Sequence, residues 1–168
     1  MKKVIGYVST KDLGTLKEQD IKNLDVINIA FGLIERHRVV WDSCGNEEYL
    51  PKIREINPDI KIVLSVGGWG ADGFSQAART EEGRALFAVS AVSLVETYGL
   101  DGIDIDWEYP GTSLAGIGSH VNDKENYTLL LKALRESLNH MEGEKSLSVA
   151  VGGDVYFALQ TDMKAASK

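Results

Sequence analysis

The sequence predicts an α/β fold in which short buried strands alternate with helices. Three features of the chain lead to it. Five short runs, at residues 4–9, 26–31, 60–66, 102–107 and 147–151, are rich in β-branched residues. Most are nearly continuously apolar, the pattern of parallel strands covered on both faces. Longer stretches with helix periodicity and end signals separate them. The chain has 168 residues, 43% hydrophobic and 26% charged, an ordinary composition for one globular unit with a sizeable core.

The elements follow in order. A short helical piece over residues 16–24 links the first two strands. Residues 33–41 form a small hairpin after the second strand, with Val39, Val40 and Trp41 on its return arm. Residues 47–56 read as a weak helix interrupted near its start by Pro51. Residues 80–98 read as a stronger one: Thr80 is the N-cap, Glu81 and Glu82 suit the first turn, and Gly99 ends it. Residues 122–141 form the clearest helix. Asn122 and Glu125 make a capping box, Leu130, Leu134 and Leu138 a stripe, and Gly143 the stop. Residues 163–168 resemble a helix cut short. Strand–helix alternation implies right-handed crossovers. A closed eight-stranded barrel needs roughly 250 residues, so the chain is either an open sheet or the first part of a barrel.

Composition excludes several classes. Acidic residues number 25 against 18 basic, a formal charge of −7, which disfavours a nucleic-acid surface. Cys44 is the single cysteine, so no disulfide framework and no cysteine-based zinc site is expected. No apolar stretch approaches the roughly 20 residues of a membrane span. The run after Lys3 is too short for a signal-peptide core, and the sequence assigns no compartment. His37, His120 and His140 have no ligand-like spacing and read as surface residues.

The most informative segment is Asp101-Gly102-Ile103-Asp104-Ile105-Asp106-Trp107-Glu108-Tyr109-Pro110. Strand side chains alternate faces, so Asp104, Asp106 and Glu108 share one face and Ile103, Ile105 and Trp107 the other. Acids so aligned keep a proton among them near neutral pH, as general acid catalysis requires. A solvated polar face is a competing reading. So is an Mg²⁺ or Ca²⁺ site, although only neighbouring acids on one strand would share an ion.

A second motif, Ser65-Val66-Gly67-Gly68-Trp69-Gly70, follows the third strand. Its glycines permit tight turning. It lacks the spacing of a phosphate-binding loop. Trp69 offers either a flat platform for a sugar ring or a ring packed under a loop.

Here the chain resembles glycoside hydrolase family 18, the chitinase-type family. Residues 101–108 match every fixed position of that family's fourth-strand pattern, Asp-Gly-x-Asp-x-Asp-x-Glu. Ser65, Gly67 and Gly68 match its third-strand pattern, and Tyr7 and Phe31 fall where it places aromatics. The resemblance implies a TIM-type (β/α)8 barrel, truncated to about five parallel strands. Residues 1–168 are then one partial catalytic domain lacking the later strands. Those strands carry a Tyr, an Asp and a Trp that hold the acetamido group and floor the subsite, and no residue here matches them.

The implied reaction is retaining, substrate-assisted hydrolysis of chitin or another N-acetylglucosamine-containing glycan, with no cofactor or metal. Glu108 matches the acid/base. Asp106 matches the residue that holds the acetamido N–H, and Asp104 shares a proton with it. Tyr7 and Ser65 surround Asp104, Trp69 and Tyr109 contact sugar on the leaving-group side, and Phe31 walls the inner subsite. Asp101 is structural. A carbohydrate-binding fragment without turnover, and a relative cleaving peptidoglycan or N-glycans, are the alternatives. An isolated half-barrel exposes two strand edges and an apolar inner layer. It is therefore expected to be weakly active and to self-associate.

Overall fold

The computed structural model describes residues 2–166. Five parallel strands make one open sheet in the order β1 (Ile5–Ser9), β2 (Val26–Glu35), β4 (Lys61–Gly67), β5 (Gly102–Asp106) and β6 (Ser146–Val149). β3 (Arg38–Val40) stands outside this order and pairs antiparallel with the far half of β2, forming the expected hairpin. Arg36 and His37 make its two-residue turn, with φ of 49° and 67°, as right-handed strand twist favours. β2 is longer than the sequence suggests because it serves both pairings, with a register shift between Ala30 and Gly32.

The helices are α1 (Glu18–Lys22), α2 (Tyr49–Ile56), α3 (Phe74–Arg79), α4 (Glu81–Thr97), α5 (Asp123–Asn139), α6 (Val155–Ala158) and α7 (Met163–Ala166). A 3-10 turn, Thr10–Thr15, precedes α1. Pro51 does not break α2, because it lies in the first turn, where its missing N–H needs no partner. Thr80 caps α4 by accepting from Gly83 N–H at 3.0 Å. The capping box at α5 does not form. Asn122 has φ −97° and ψ 14°, far from the extended geometry of an N-cap, and its side chain makes no cap bond. α3 was not expected from sequence, since its six residues are too few for periodicity to show. The last part of the 163–168 helix lies outside the described residues.

One face of the sheet is the core. Ile27, Ile29, Ile62, Leu64, Val66, Ile103 and Ile105 are buried against the helices, and Leu130, Leu134 and Leu138 of α5 are fully buried there. Ala88 and Ala91 allow α4 a close approach. The other face carries the polar residues Tyr7, Asn28, Ser65, Asp104 and Ser148 together with the aliphatic Ile5, Val26 and Val63. The expected apolar inner layer is therefore mixed: apolar toward the N-terminal ends of the strands, at Ile5, Val26 and Val63, and polar toward their C-terminal ends. Strand alternation gives most of the aliphatic residues to the helices and the hydroxyls and acids to the inside. β1 and β6 are the outer strands of the sheet.

Asp101 fastens the sheet at the end opposite the site. Its carboxylate accepts Ile62 N–H and an Arg54 guanidinium N–H, both at 2.9 Å, and Lys61 lies at 3.4 Å. Burial pushes its pKa up, but those bonds and charges outweigh burial and leave it below the usual carboxylate range. Among the described residues no helix is long and apolar enough to cross a membrane.

Candidate active site

Parallel pairing sets Ser9, Ala30, Ser65, Asp104 and Ser148 side by side across the sheet. Asp104 is 1% exposed. Its Oδ2 accepts the Tyr7 hydroxyl at 3.0 Å and Ser65 Oγ–H at 2.8 Å, and its Oδ1 accepts Ser148 Oγ–H at 2.6 Å. Three neutral hydroxyls on three different strands thus replace water around a buried carboxyl, which would otherwise be costly to bury. Tyr7 is pushed up to about 12, by burial first and then by the charge of Asp104. Its hydroxyl therefore remains a donor.

Asp106 stands two residues on, on the same face, half-buried at the mouth of the sheet. Its pKa is pushed up to about 6, by burial first, then by the charge of Glu108, then by that of Asp104. It lines a hollow of about 480 Å³ with Tyr7, Val8, Ser9, Ala30, Phe31 and Ala150. β5 ends at Asp106, so Glu108 lies beyond the strand rather than on it as its spacing suggested. Trp107 turns to the helix side, 2% exposed, as alternation requires.

Gly67 and Gly68 make the close approach behind these acids. A Cβ on Gly67, at φ +122°, would stand 2.1 Å from the Asp106 carbonyl oxygen, and one on Gly68, at φ +90°, 2.8 Å from the Phe31 ring. Gly68 N–H donates to the Asp106 carbonyl at 2.9 Å. Phe31 is 39% exposed and borders the hollow. Trp69 is 67% exposed, a free platform rather than a ring packed under a loop. Tyr109 has one face covered: it stacks on Phe157 at 3.9 Å between centroids. Its hydroxyl is pushed up, by burial first and then by Glu108.

All ten residues singled out in the sequence lie on β1, β2, β4 and β5 or in the loops that follow β4 and β5. Ser148 and Phe157 were missed. Ser148 was within reach, since strand parity on β6 gives it the same inward face as Asp104. Phe157 comes from a four-residue helix with no pattern to read. Among the described residues no group of three or more His, Cys, Asp or Glu side chains is placed to hold a metal ion.

The sequence profile of Glycosyl hydrolases family 18 matches residues 3–168. The chain is 40% identical over 131 residues to Chitinase A1 of Niallia circulans, covering 73% of this chain and 19% of that protein. It is 35% identical over 113 residues to Chitotriosidase-1 of Mus musculus, covering 64% of this chain and 24% of that protein. Its fold superposes on a family 18 N-acetylglucosaminidase from Paenibacillus barengoltzii with a TM-score of 0.93 and 44% identity, covering 98% of this chain and 50% of that one. The chitinase domain of the spore coat protein CotE from Clostridium difficile gives a TM-score of 0.84 and 36% identity, over 96% and 45% of the two chains. The chain thus spans about half the length of these solved structures and about a fifth to a quarter of these curated relatives. Its open five-stranded sheet is part of a TIM-type barrel. With the profile spanning nearly every residue and the acid row on the inner face of that sheet, the chain belongs to glycosyl hydrolase family 18.

Proposed function

We propose that this chain carries the acid half of a chitinase-type active site, acting on β-1,4-linked N-acetylglucosamine polymers by a retaining, substrate-assisted route. The observation that supports it is the row Asp104, Asp106, Glu108, with Asp104 held by three hydroxyls and Asp106 raised to about 6 by its surroundings. In this reading the substrate's N-acetyl carbonyl oxygen attacks the anomeric carbon as the glycosidic bond breaks. Glu108 gives its proton to the departing oxygen. The resulting oxazolinium ion is positive, and Asp106 accepts its acetamido N–H and offsets its charge. Glu108 then takes a proton from water as the water attacks the anomeric carbon and reopens the ring. Asp104 fixes Asp106 from beneath. Trp69 and Tyr109 hold sugar on the leaving side, and Phe31 walls the hollow.

Residues 1–168 form one unit in this reading, the N-terminal portion of a catalytic domain. Turnover by the chain alone is expected to be weak, because catalysis needs groups held within fractions of an ångström. Open edges at β1 and β6 favour pairing of two copies, which sedimentation at micromolar concentration tests; a stable monomer counts against it.

The test of the reaction is release of a fluorophore from an N-acetylchitooligosaccharide glycoside. Glu108→Gln is expected to lower the rate about 10²–10⁴-fold. A rate unchanged by that substitution would overturn the assignment of Glu108. The exposure of Trp69 supports a second reading, a carbohydrate-binding chain without turnover. Sugar affinity that survives Glu108→Gln, with no hydrolysis by either form, would favour it.

A further inference from the structure

Glu108 lies in a short span, residues 107–111, fastened at one end to α3 and at the other to Asp123, the first residue of α5. At one end Trp107 stacks on Phe74, with ring centroids 5.2 Å apart and planes 11° from parallel. At the other, Gly111 N–H donates to Asp123 Oδ2 at 3.3 Å, and Asp123 Oδ1 accepts Ser75 Oγ–H at 2.8 Å. His120 N–H donates to the same Oδ2 at 2.6 Å, which ties the far end of the loop to the same carboxylate. Asp123 is wholly buried, and Ser75 is 1% exposed. A second tie joins the neighbouring loops: Asp72 Oδ1 accepts Gly118 N–H at 2.9 Å, linking the segment that bears Trp69 to the one that follows Glu108.

Burying a carboxylate among neutral donors is expensive. What it supplies in return is acceptor capacity for two backbone N–H groups of a loop that has no secondary structure of its own. That loop leads directly from Glu108. We propose that Asp123 is a positioning residue for Glu108: its carboxylate, braced by Ser75 of α3, fixes Gly111 at the start of α5 so that the Glu108 carboxyl keeps its place beside Asp106. The proposal rests on the reading of Glu108 as the acid/base for its meaning in the reaction. Its geometry does not depend on turnover.

The test uses the full 168-residue chain, isotope-labelled, and reads two quantities by NMR. One is amide exchange at Gly111 and His120. The other is the titration midpoint of Asp106, which burial raises first and the Glu108 charge raises further. Asp123→Ala is expected to speed exchange at both amides about tenfold or more and to lower the Asp106 midpoint from about 6 toward the ordinary carboxylate range. Asp123→Asn is expected to restore both. Its amide oxygen can face the two N–H groups while its Nδ2–H donates to Ser75 Oγ. Both variants lose the same charge, so an effect of charge alone would move them equally. Where Asp123→Ala does not fold, Ser75→Ala removes one of the three bonds, and a smaller acceleration in the same direction is expected. The proposal is overturned by a folded Asp123→Ala or Ser75→Ala chain with unchanged exchange and midpoint, or by Asp123→Asn behaving as Asp123→Ala does. Failure of the hydrolase reading would appear separately, as sugar turnover indifferent to Glu108→Gln.

Discussion

The Tyr7 hydroxyl donates to Asp104 Oδ2 at 3.0 Å, joining two residues 97 apart in sequence. With Ser65 and Ser148 it makes a solvation shell for Asp104 to which that residue's own strand contributes nothing. The burial of this acid is therefore a property of the whole sheet.

Ser65→Ala is expected to destabilise the chain by about 1–3 kcal/mol, the cost of leaving a buried carboxyl short of one hydrogen bond. Ser148 is exposed, and Ser148→Ala is expected to cost about half as much, because water can replace its hydroxyl. Urea unfolding curves of the two variants measure this. Equal and negligible losses would show that the hydroxyl shell does not support the acid.

Asp106 makes stability depend on pH in a direction unusual for a carboxylate. Its folded pKa, about 6, lies above the unfolded value of roughly 3.9. The folded state therefore binds the proton more tightly. This contribution is complete below about pH 4 and is lost as pH rises through 6. Allowing for solvent screening of a half-exposed group, the loss is about 1 kcal/mol. Asp106→Asn removes it. The stability difference between variant and wild type is expected to grow in the variant's favour between pH 4 and pH 7.5, read from urea midpoints. A difference constant with pH would place Asp106 in the ordinary range.

Asp101 has the opposite sign. Its folded pKa is lowered, so its stabilisation is present above the unfolded carboxylate value and disappears as pH falls through the folded one. Asp101→Asn loses most of its attraction for Arg54 and Lys61 and is expected to cost about 2 kcal/mol at pH 7. That cost should shrink below about pH 4, where the wild type begins to lose the same interaction. Thermal unfolding at pH 7 and pH 3 compares the two chains.

Trp69→Ala separates binding from folding. At 67% exposure the ring supports little of the core, so stability should change by no more than about 0.5 kcal/mol. Affinity for N-acetylchitooligosaccharides should fall about tenfold, roughly 1.4 kcal/mol, for the loss of one stacking platform. Calorimetric titration reads the second and urea unfolding the first. Unchanged affinity would remove Trp69 from the binding surface.

Much of this was legible in the sequence because it rests on period-two alternation. That pattern marked the strands, turned Trp107 away from the acids and put Asp104 and Asp106 together. It stopped being informative where the strand stopped: Glu108 lies past the end of β5, and its surroundings depend on a loop. The site's supports were harder to see. In sequence Asp123 is one more acid in the first turn of a helix, and only the structure shows its carboxylate facing backward into the preceding loop. Ser75 and Phe74 sit on a helix too short to announce itself. The mixed inner face was only half legible, because hydrophobicity summed over a strand does not say which face holds most of the aliphatic residues.

β2 passes from a parallel sheet into an antiparallel hairpin through the shift between Ala30 and Gly32. The hairpin is held from outside the acid row, by Val39 N–H on Ser90 Oγ at 2.8 Å and by Ile34 against Gly73. Its tip at Arg36–His37 is therefore mechanically insulated from Asp104. A change of length at that turn is expected to leave the hydroxyl shell of Asp104 in place.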